Sequence, residues 1–135
     1  MYTTHPRPAS FLTTLLILTA GCDFLGTDRP SEAQVIIDGD ADATVNVITS
    51  QNFFMGFSDE MGTDVSFVEA DTVVVNLPFD ETYDLRPSAW FAVRLTAPED
   101  QTPEVHMRVL LDGSERFNQS GVLEDQHMQY FVTHN

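Results

Sequence analysis

From residue 33 onward, apolar and polar side chains alternate along short stretches of the chain. In residues 105–111, Val105, Met107 and Val109 share one face, while the residues between them point the other way. Alternation of this kind, with many β-branched residues, is typical of β-strands that bury one face. The same pattern recurs in residues 44–49, 72–77, 91–96 and 127–133.

Turn signals separate these stretches at intervals of roughly 8 to 12 residues, a spacing typical of β-sandwiches. Pro78 ends the stretch of residues 72–77, and Asp112-Gly113 is a two-residue hairpin signal. None of the chain after residue 33 has a convincing helical period. The sequence therefore predicts an all-β fold, a single Ig-like antiparallel β-sandwich of about seven to nine strands.

An apolar stretch, residues 11–20, precedes Gly21 and Cys22 and follows a short segment whose one charged residue is Arg7. A helix of this length rises only about 15 Å, half the hydrocarbon thickness of a bilayer, so a membrane-spanning helix is not expected. A positive start, a short apolar core and small residues before a cut are the parts of a signal peptide. The alternative interpretation is a buried helix with an inert cysteine.

The block Leu18-Thr19-Ala20-Gly21-Cys22 resembles the lipobox of bacterial lipoproteins, although Thr19 stands where leucine is commoner. The resemblance implies that a signal peptide, residues 1–21, is removed. It also implies that Cys22, the one cysteine of the chain, is lipidated and becomes the mature N-terminus.

After Cys22, glycine, proline and charged residues without periodicity predict a lipidated tether, residues 22–33. The alternating pattern that follows predicts a β-sandwich domain, residues 34–135. A diacylglycerol or acyl lipid on Cys22 anchors such a domain to a membrane, because each buried methylene adds about 0.8 kcal/mol. We expect the domain to lie in the cell envelope outside the cytoplasm, on the periplasmic side or at the cell surface. The choice between inner and outer membrane stays open.

The charged residues are distributed unevenly about Cys22, and all of the acidic ones follow it. The chain has six arginines, no lysine and 21 acidic residues, for a formal net charge of −15. Removal of residues 1–21 leaves five arginines and all 21 acids, a formal −16. So acidic a domain argues against nucleic acid as a partner. It also has no electrostatic attraction for anionic lipid, so the covalent lipid would supply the membrane affinity.

The use of arginine alone and the excess of aspartate over glutamate resemble proteins of halophilic or salt-adapted bacteria. A merely acidic secreted protein is the alternative. Like charges repel within the compact state, and salt screens that repulsion over about 10 Å at 0.1 M. We therefore expect the thermal unfolding midpoint to rise between low salt and about 1 M NaCl. Circular dichroism measures this midpoint. An unchanged midpoint would contradict this expectation.

A second resemblance runs from Ile36 to the end of the chain. Its elements, in order, are Ile37-Asp38-Gly39 with residues 43–47, Asn76-Leu77-Pro78-Phe79 with residues 91–97, and residues 105–113 with their Leu-Asp-Gly hairpin. This order is similar to that of the small mycobacterial membrane protein family and its Ig-like relatives. Phe79 replaces a tryptophan, and the relatives' paired cysteines and uncleaved membrane helix have no counterpart. The resemblance implies an extracytoplasmic β-sandwich, in some relatives an accessory of lipid-exporting transporters.

One loop offers carboxylates at alternate positions, namely Asp38, Asp40 and Asp42. Calcium prefers several oxygen ligands from one loop, so these aspartates are a candidate calcium site. A calcium loop of the EF-hand type needs glycine at its sixth position and glutamate at its twelfth, where this chain has Ala43 and Thr49. The alternative is a solvated acidic turn between two strands.

The run Phe53-Phe54-Met55-Gly56-Phe57 places large apolar side chains on both faces of a strand. One interpretation is a central strand covered on both sides, or a strand that runs into a packed loop. The other is an exposed apolar patch for a lipid or a partner protein, formed by Phe53, Phe54, Phe57 and Trp90.

Catalytic signatures are not found in the sequence. The histidines His106, His127 and His134 have no metal-ligand spacing, and neither a GxSxG element nor a second cysteine provides a nucleophile. Adjacent carboxylates such as Glu99-Asp100 point apart on a strand or turn. We therefore expect no enzyme activity and no catalytic residue, and no cofactor other than the lipid on Cys22 and, if the candidate site binds it, calcium.

These patterns together predict a lipid-anchored extracytoplasmic lipoprotein that acts as a non-catalytic binding or accessory module of the cell envelope. Its expected partners are the membrane, through the lipid anchor, and an envelope protein or lipid. A calcium-dependent structural or adhesive module is the alternative, and a small hydrolase is the least favoured one.

Overall fold

The computed structural model describes residues 29–58 and 62–134, all of whose regular structure is β-strand. No helix in these two ranges is long and apolar enough to cross a membrane. The predicted signal peptide, Cys22 and the first part of the predicted tether lie outside the described residues. The strands are β1 (Glu32–Gly39), β2 (Thr44–Ser58), β3 (Gly62–Asn76), β4 (Phe79–Asp84), β5 (Phe91–Thr96), β6 (Glu104–Leu111), β7 (Ser114–Val122) and β8 (Met128–Val132).

The strands form two antiparallel sheets of four strands each. Sheet 1 has the order β4-β1-β6-β7, and sheet 2 has the order β3-β2-β5-β8. The prediction of an all-β sandwich with seven to nine strands is confirmed, because the described chain contains eight.

The main core lies between the sheets and follows the alternation in the sequence. Val35 and Ile37 of β1 face Val45 and Val47 of β2, and all four side chains are fully buried. Each side chain of this size stabilises the fold by about 1.5 to 3 kcal/mol when it is fully buried. The other fully buried members of this core are Ala33, Phe91, Val93, Leu95, Val105, Met107, Val109 and Leu123.

The N-terminal edge of the domain is fixed by the turn between β6 and β7. One carboxylate oxygen of Asp112 accepts hydrogen bonds from the Ser31 N–H, the Ser31 hydroxyl and the Glu32 N–H, at 2.9, 3.0 and 3.1 Å. These donors, led by the Ser31 N–H, hold the pKa of Asp112 below its usual range. Strand β1 starts at Glu32, so the folded domain includes the last residues of the predicted tether.

The same turn confirms the predicted hairpin. Asp112 and Gly113 both have positive φ, 46° and 78°, as a two-residue hairpin turn requires. Asp112 therefore closes the β6–β7 hairpin with its backbone and holds the start of β1 with its side chain.

Candidate functional site

Strands β2 and β3 continue past the end of the sandwich. Both have 15 residues, but β5 pairs only with residues 46–50 of β2. Residues 52–58 and 62–69 pair with each other alone, and we call this two-stranded extension the arm. The run of aromatic residues is therefore not part of a central strand covered on both sides, which was one of the two interpretations of the sequence.

A β-bulge marks the base of the arm. The register of β2 against β3 shifts between Thr49 and Asn52 and again before Phe53. The buried Ser50 hydroxyl lies within hydrogen-bond distance of the carbonyls of Asn52 and Glu69 and accepts a bond from the Asn52 N–H at 3.0 Å. Ser50 thus satisfies backbone groups that the bulge removes from the ladder, and the bulge lets the strand change direction.

Beyond the bulge, the arm packs on the outer face of sheet 2. Ala92 faces outward because its neighbours Phe91 and Val93 point into the main core. Phe53 and Val65 of the arm cover Ala92 and form a second, smaller core. The Phe53 ring lies 5.5 Å from the Trp90 ring and 6.4 Å from the Phe131 ring, between centroids.

Arg94 of β5 fastens the arm to this face. Its Nη2 atom donates to the Val65 carbonyl at 2.6 Å and to Asp64 Oδ1 at 3.2 Å. Its carbon Cζ lies 4.7 Å from the centroid of the Phe67 ring, a cation–π arrangement. Gln129 of β8 accepts from the same guanidinium at 3.0 Å, so one side chain joins β5, β8 and the arm.

Burial along one face of the arm shows where it leaves the sandwich. Phe53, Met55 and Phe57 alternate on β2 and therefore share a face. Their exposed fractions rise from 1% to 49% to 94%. The buried end packs on Phe131 of β8, and exposure increases along this face toward the end of the arm.

The opposite face of the arm carries Phe54, which is 70% exposed. We call Phe54, Met55 and Phe57 the arm patch. Of the four residues predicted to form an apolar patch, Phe54 and Phe57 lie at the surface and Trp90 is partly buried. Phe53 is buried, so its assignment to an exposed surface is wrong, and its role is to attach the arm.

The three aspartates of the predicted calcium loop make separate contacts. Asp40 Oδ2 accepts the Glu104 N–H at 2.9 Å, and Asp38 Oδ2 lies 3.9 Å from Arg108 Nη2. Asp42 adopts a positive φ of 60° in the turn. Within the described ranges, no three His, Cys, Asp or Glu side chains are grouped to hold a metal ion. The geometry corresponds to the alternative, an acidic turn between β1 and β2.

A cleft of about 340 Å³ lies at the bulge, between β3 and β4. Burial, together with the nearby Glu81 and Asp71, raises the pKa of Tyr83, so its hydroxyl stays protonated at neutral pH. Ser50 is already engaged with backbone groups, and none of the described lining residues is a histidine or cysteine.

The three histidines of the described residues lie at separate places in the fold. His106 Nε2 lies 2.7 Å from Asn118 Oδ1 on the outer face of sheet 1. His127 precedes β8, where burial and then the Arg94 guanidinium lower its pKa. His134 follows β8 near the end of the chain. No protein-family model and no curated protein sequence match the chain.

Proposed function

We propose that this protein is a lipid-anchored, extracytoplasmic lipoprotein that serves the cell envelope as a non-catalytic binding module. The observation that carries the proposal is the arm patch, in which Phe57 is 94% exposed and Phe54 70% exposed. Met55 and Phe57 share one face of the arm and Phe54 lies on the other, and contiguous exposed apolar surface marks sites of interaction with a partner. The lipobox-like block ending at Cys22 supports the membrane anchor.

The contacts that attach the arm to sheet 2 support a role in binding, and not in folding, for Phe54 and Phe57. Phe53 and Val65 already attach the arm to sheet 2, and Arg94 secures it with hydrogen bonds. Phe54 and Phe57 add nothing to that attachment because they stay exposed. A rigid element that displays apolar side chains loses little conformational entropy when a partner covers them.

The anchor can be tested by expressing the full chain in a bacterial host supplied with an alkyne-labelled fatty acid. We expect the wild-type chain to carry the label and to fractionate with membranes. Cys22→Ser should neither carry the label nor fractionate with membranes. Gly21→Ala is the matched control, because it keeps a small residue before the cut and should leave labelling intact. An unlabelled wild-type chain, or a Cys22→Ser chain that carries the label, would overturn the proposal.

A further inference from the structure

The chain enters the domain along the connection between β4 and β5. Arg29 Nη1 donates to the Pro87 carbonyl at 3.1 Å, and the Leu85 N–H donates to the Ser31 carbonyl at 2.8 Å. The residues before β1 are therefore held against this connection, at one end of the sandwich. The predicted tether joins the domain at the same place.

The base of the arm lies against the same connection. Gln51 Nε2 donates to the Asp84 carbonyl at 2.9 Å, and Gln51 Oε1 accepts the Arg86 N–H at 2.7 Å. Two residues further along β2, the Phe53 ring packs on Trp90, the last residue before β5. The start of the domain and the base of the arm are therefore neighbours in the fold.

This placement brings the arm patch within reach of a membrane that holds Cys22. Cys22 stands seven residues before Arg29, and seven residues span at most about 25 Å. Phe57 follows Phe53 by four residues of strand, which rise about 13 Å. A lipid on Cys22 would therefore hold the arm close to the bilayer surface and raise the effective concentration of lipid around it.

The arm patch is apolar on both faces, which favours a fluid occupant. Met55 and Phe57 are exposed on one face and Phe54 on the other. A groove on a folded protein covers one face of a strand pair, whereas the acyl chains of a bilayer surround both. None of the three side chains has an N–H or O–H donor, so immersion in lipid leaves no side-chain donor unsatisfied.

We propose that the arm patch inserts into the surface of the bilayer to which the lipid on Cys22 anchors the protein. Residues 52–58 and 62–69 pair only with each other, so the two strand edges of the arm keep open backbone groups that hydrocarbon cannot satisfy. The side chains therefore enter only the boundary between head groups and acyl chains, about 5 to 10 Å deep. The inference rests on the proposed lipid anchor and names the lipid surface as the partner of the arm.

Charge determines which lipid the arm accepts. In the sequence, Asp59 and Glu60 stand between the two strands of the arm, and the domain has a formal charge of −16. The one arginine that contacts the arm in the described residues, Arg94, is paired with Asp64 at 3.2 Å. Phosphatidylcholine, which has no net charge, should therefore admit the arm better than an anionic lipid does.

The test places the lipidated protein, expressed from the full chain, in phosphatidylcholine vesicles with brominated acyl chains, which quench nearby tryptophan. Phe57→Trp and Phe54→Trp add a tryptophan to each face of the arm patch, and wild-type Trp90 gives the baseline. We expect the added fluorescence to fall at least about twofold, because the side chains reach the acyl boundary. Circular dichroism melting confirms that the variants fold.

Val74→Trp is the matched control. Val74 is 68% exposed, close to the 70% of Phe54, and lies on β3 outside the arm. Its tryptophan is held to the same vesicles by the same anchor, so its fluorescence should stay unquenched. Addition of anionic phosphatidylglycerol should weaken the quenching of both arm variants.

Quenching of the arm variants no stronger than that of Val74→Trp overturns the inference. An arm that binds an envelope protein gives this result, because the vesicles contain lipid alone. Quenching on one face alone also overturns it, since insertion immerses both faces. Failure of the anchor is recognised separately, because the chain then carries no fatty acid and does not remain with the vesicles. That result removes the inference together with the anchor, whereas a failed insertion leaves labelled protein on the vesicles.

Discussion

Replacement of Phe53 by alanine is expected to detach the arm from sheet 2. Phe53 is 1% exposed and packs against Trp90 and Phe131. Truncation of a buried phenylalanine typically costs about 3 to 5 kcal/mol, and most of this cost falls on the arm because the main core does not contain Phe53. Hydrogen exchange of the arm amides should therefore accelerate by more than about a hundredfold, while amides in β1 and β6 change far less.

Phe57→Ala is the matched control, since it removes the same side chain from the same face of the same strand. Phe57 is 94% exposed, so its truncation should change the free energy of unfolding by less than about 0.5 kcal/mol. If both variants exchanged alike, the arm would not be attached by its buried end. The contrast also separates the two functions assigned to the aromatic run, attachment by Phe53 and display by Phe57.

The sandwich could be predicted because its strands obey one simple rule. In β6, Val105, Met107 and Val109 alternate with polar or partly buried residues, and the structure buries that face. A strand with one buried face shows its period directly in the sequence. The Asp112-Gly113 turn was predictable for a similar reason, since both positions need positive φ.

The arm could not be predicted because a bulge breaks that rule. The register shift after Thr49 moves the following side chains to the other face of the sheet, and Ser50, which stabilises the bulge, is an ordinary polar residue in the sequence. The run of aromatics therefore suggested burial on both faces, whereas only Phe53 is buried. Arg94 alternates with the buried Val93 and Leu95 and so lies on the outer face of sheet 2, but this alternation gave no sign that the arm would fold over that face.

In the described residues, the carboxylates of the candidate calcium loop are not grouped to hold a metal ion. Sequence spacing brings Asp38, Asp40 and Asp42 within a few residues of each other, but coordination depends on where the carboxylates point. Asp40 satisfies the Glu104 N–H, which closes the end of β1 against β6. That contact joins residues far apart in the chain, so local spacing could not reveal it.

The junction of β1 and β6 also leaves no room for a side chain at Gly39. Gly39, the last residue of β1, pairs with Val105, and a Cβ atom at this position would overlap the Glu104 carbonyl oxygen. The same atom would lie 3.1 Å from Leu77 Cδ1 and from Val105 Cα. Two of these three neighbours are backbone atoms of the paired strand, which cannot move without separating β1 from β6. The 3.0 Å bond from Asp40 N–H to Glu104 would be strained as well.

Gly39→Ala should therefore destabilise the domain by about 3 kcal/mol and lower its thermal midpoint by more than about 10 °C. Gly56→Ala is the control, because a Cβ there has no neighbour within 4 Å and lies on the exposed arm. That variant should melt at or slightly above the wild-type midpoint, since alanine restricts the unfolded chain. Equal midpoints for Gly39→Ala and wild type would show that β1 and β6 do not approach this closely.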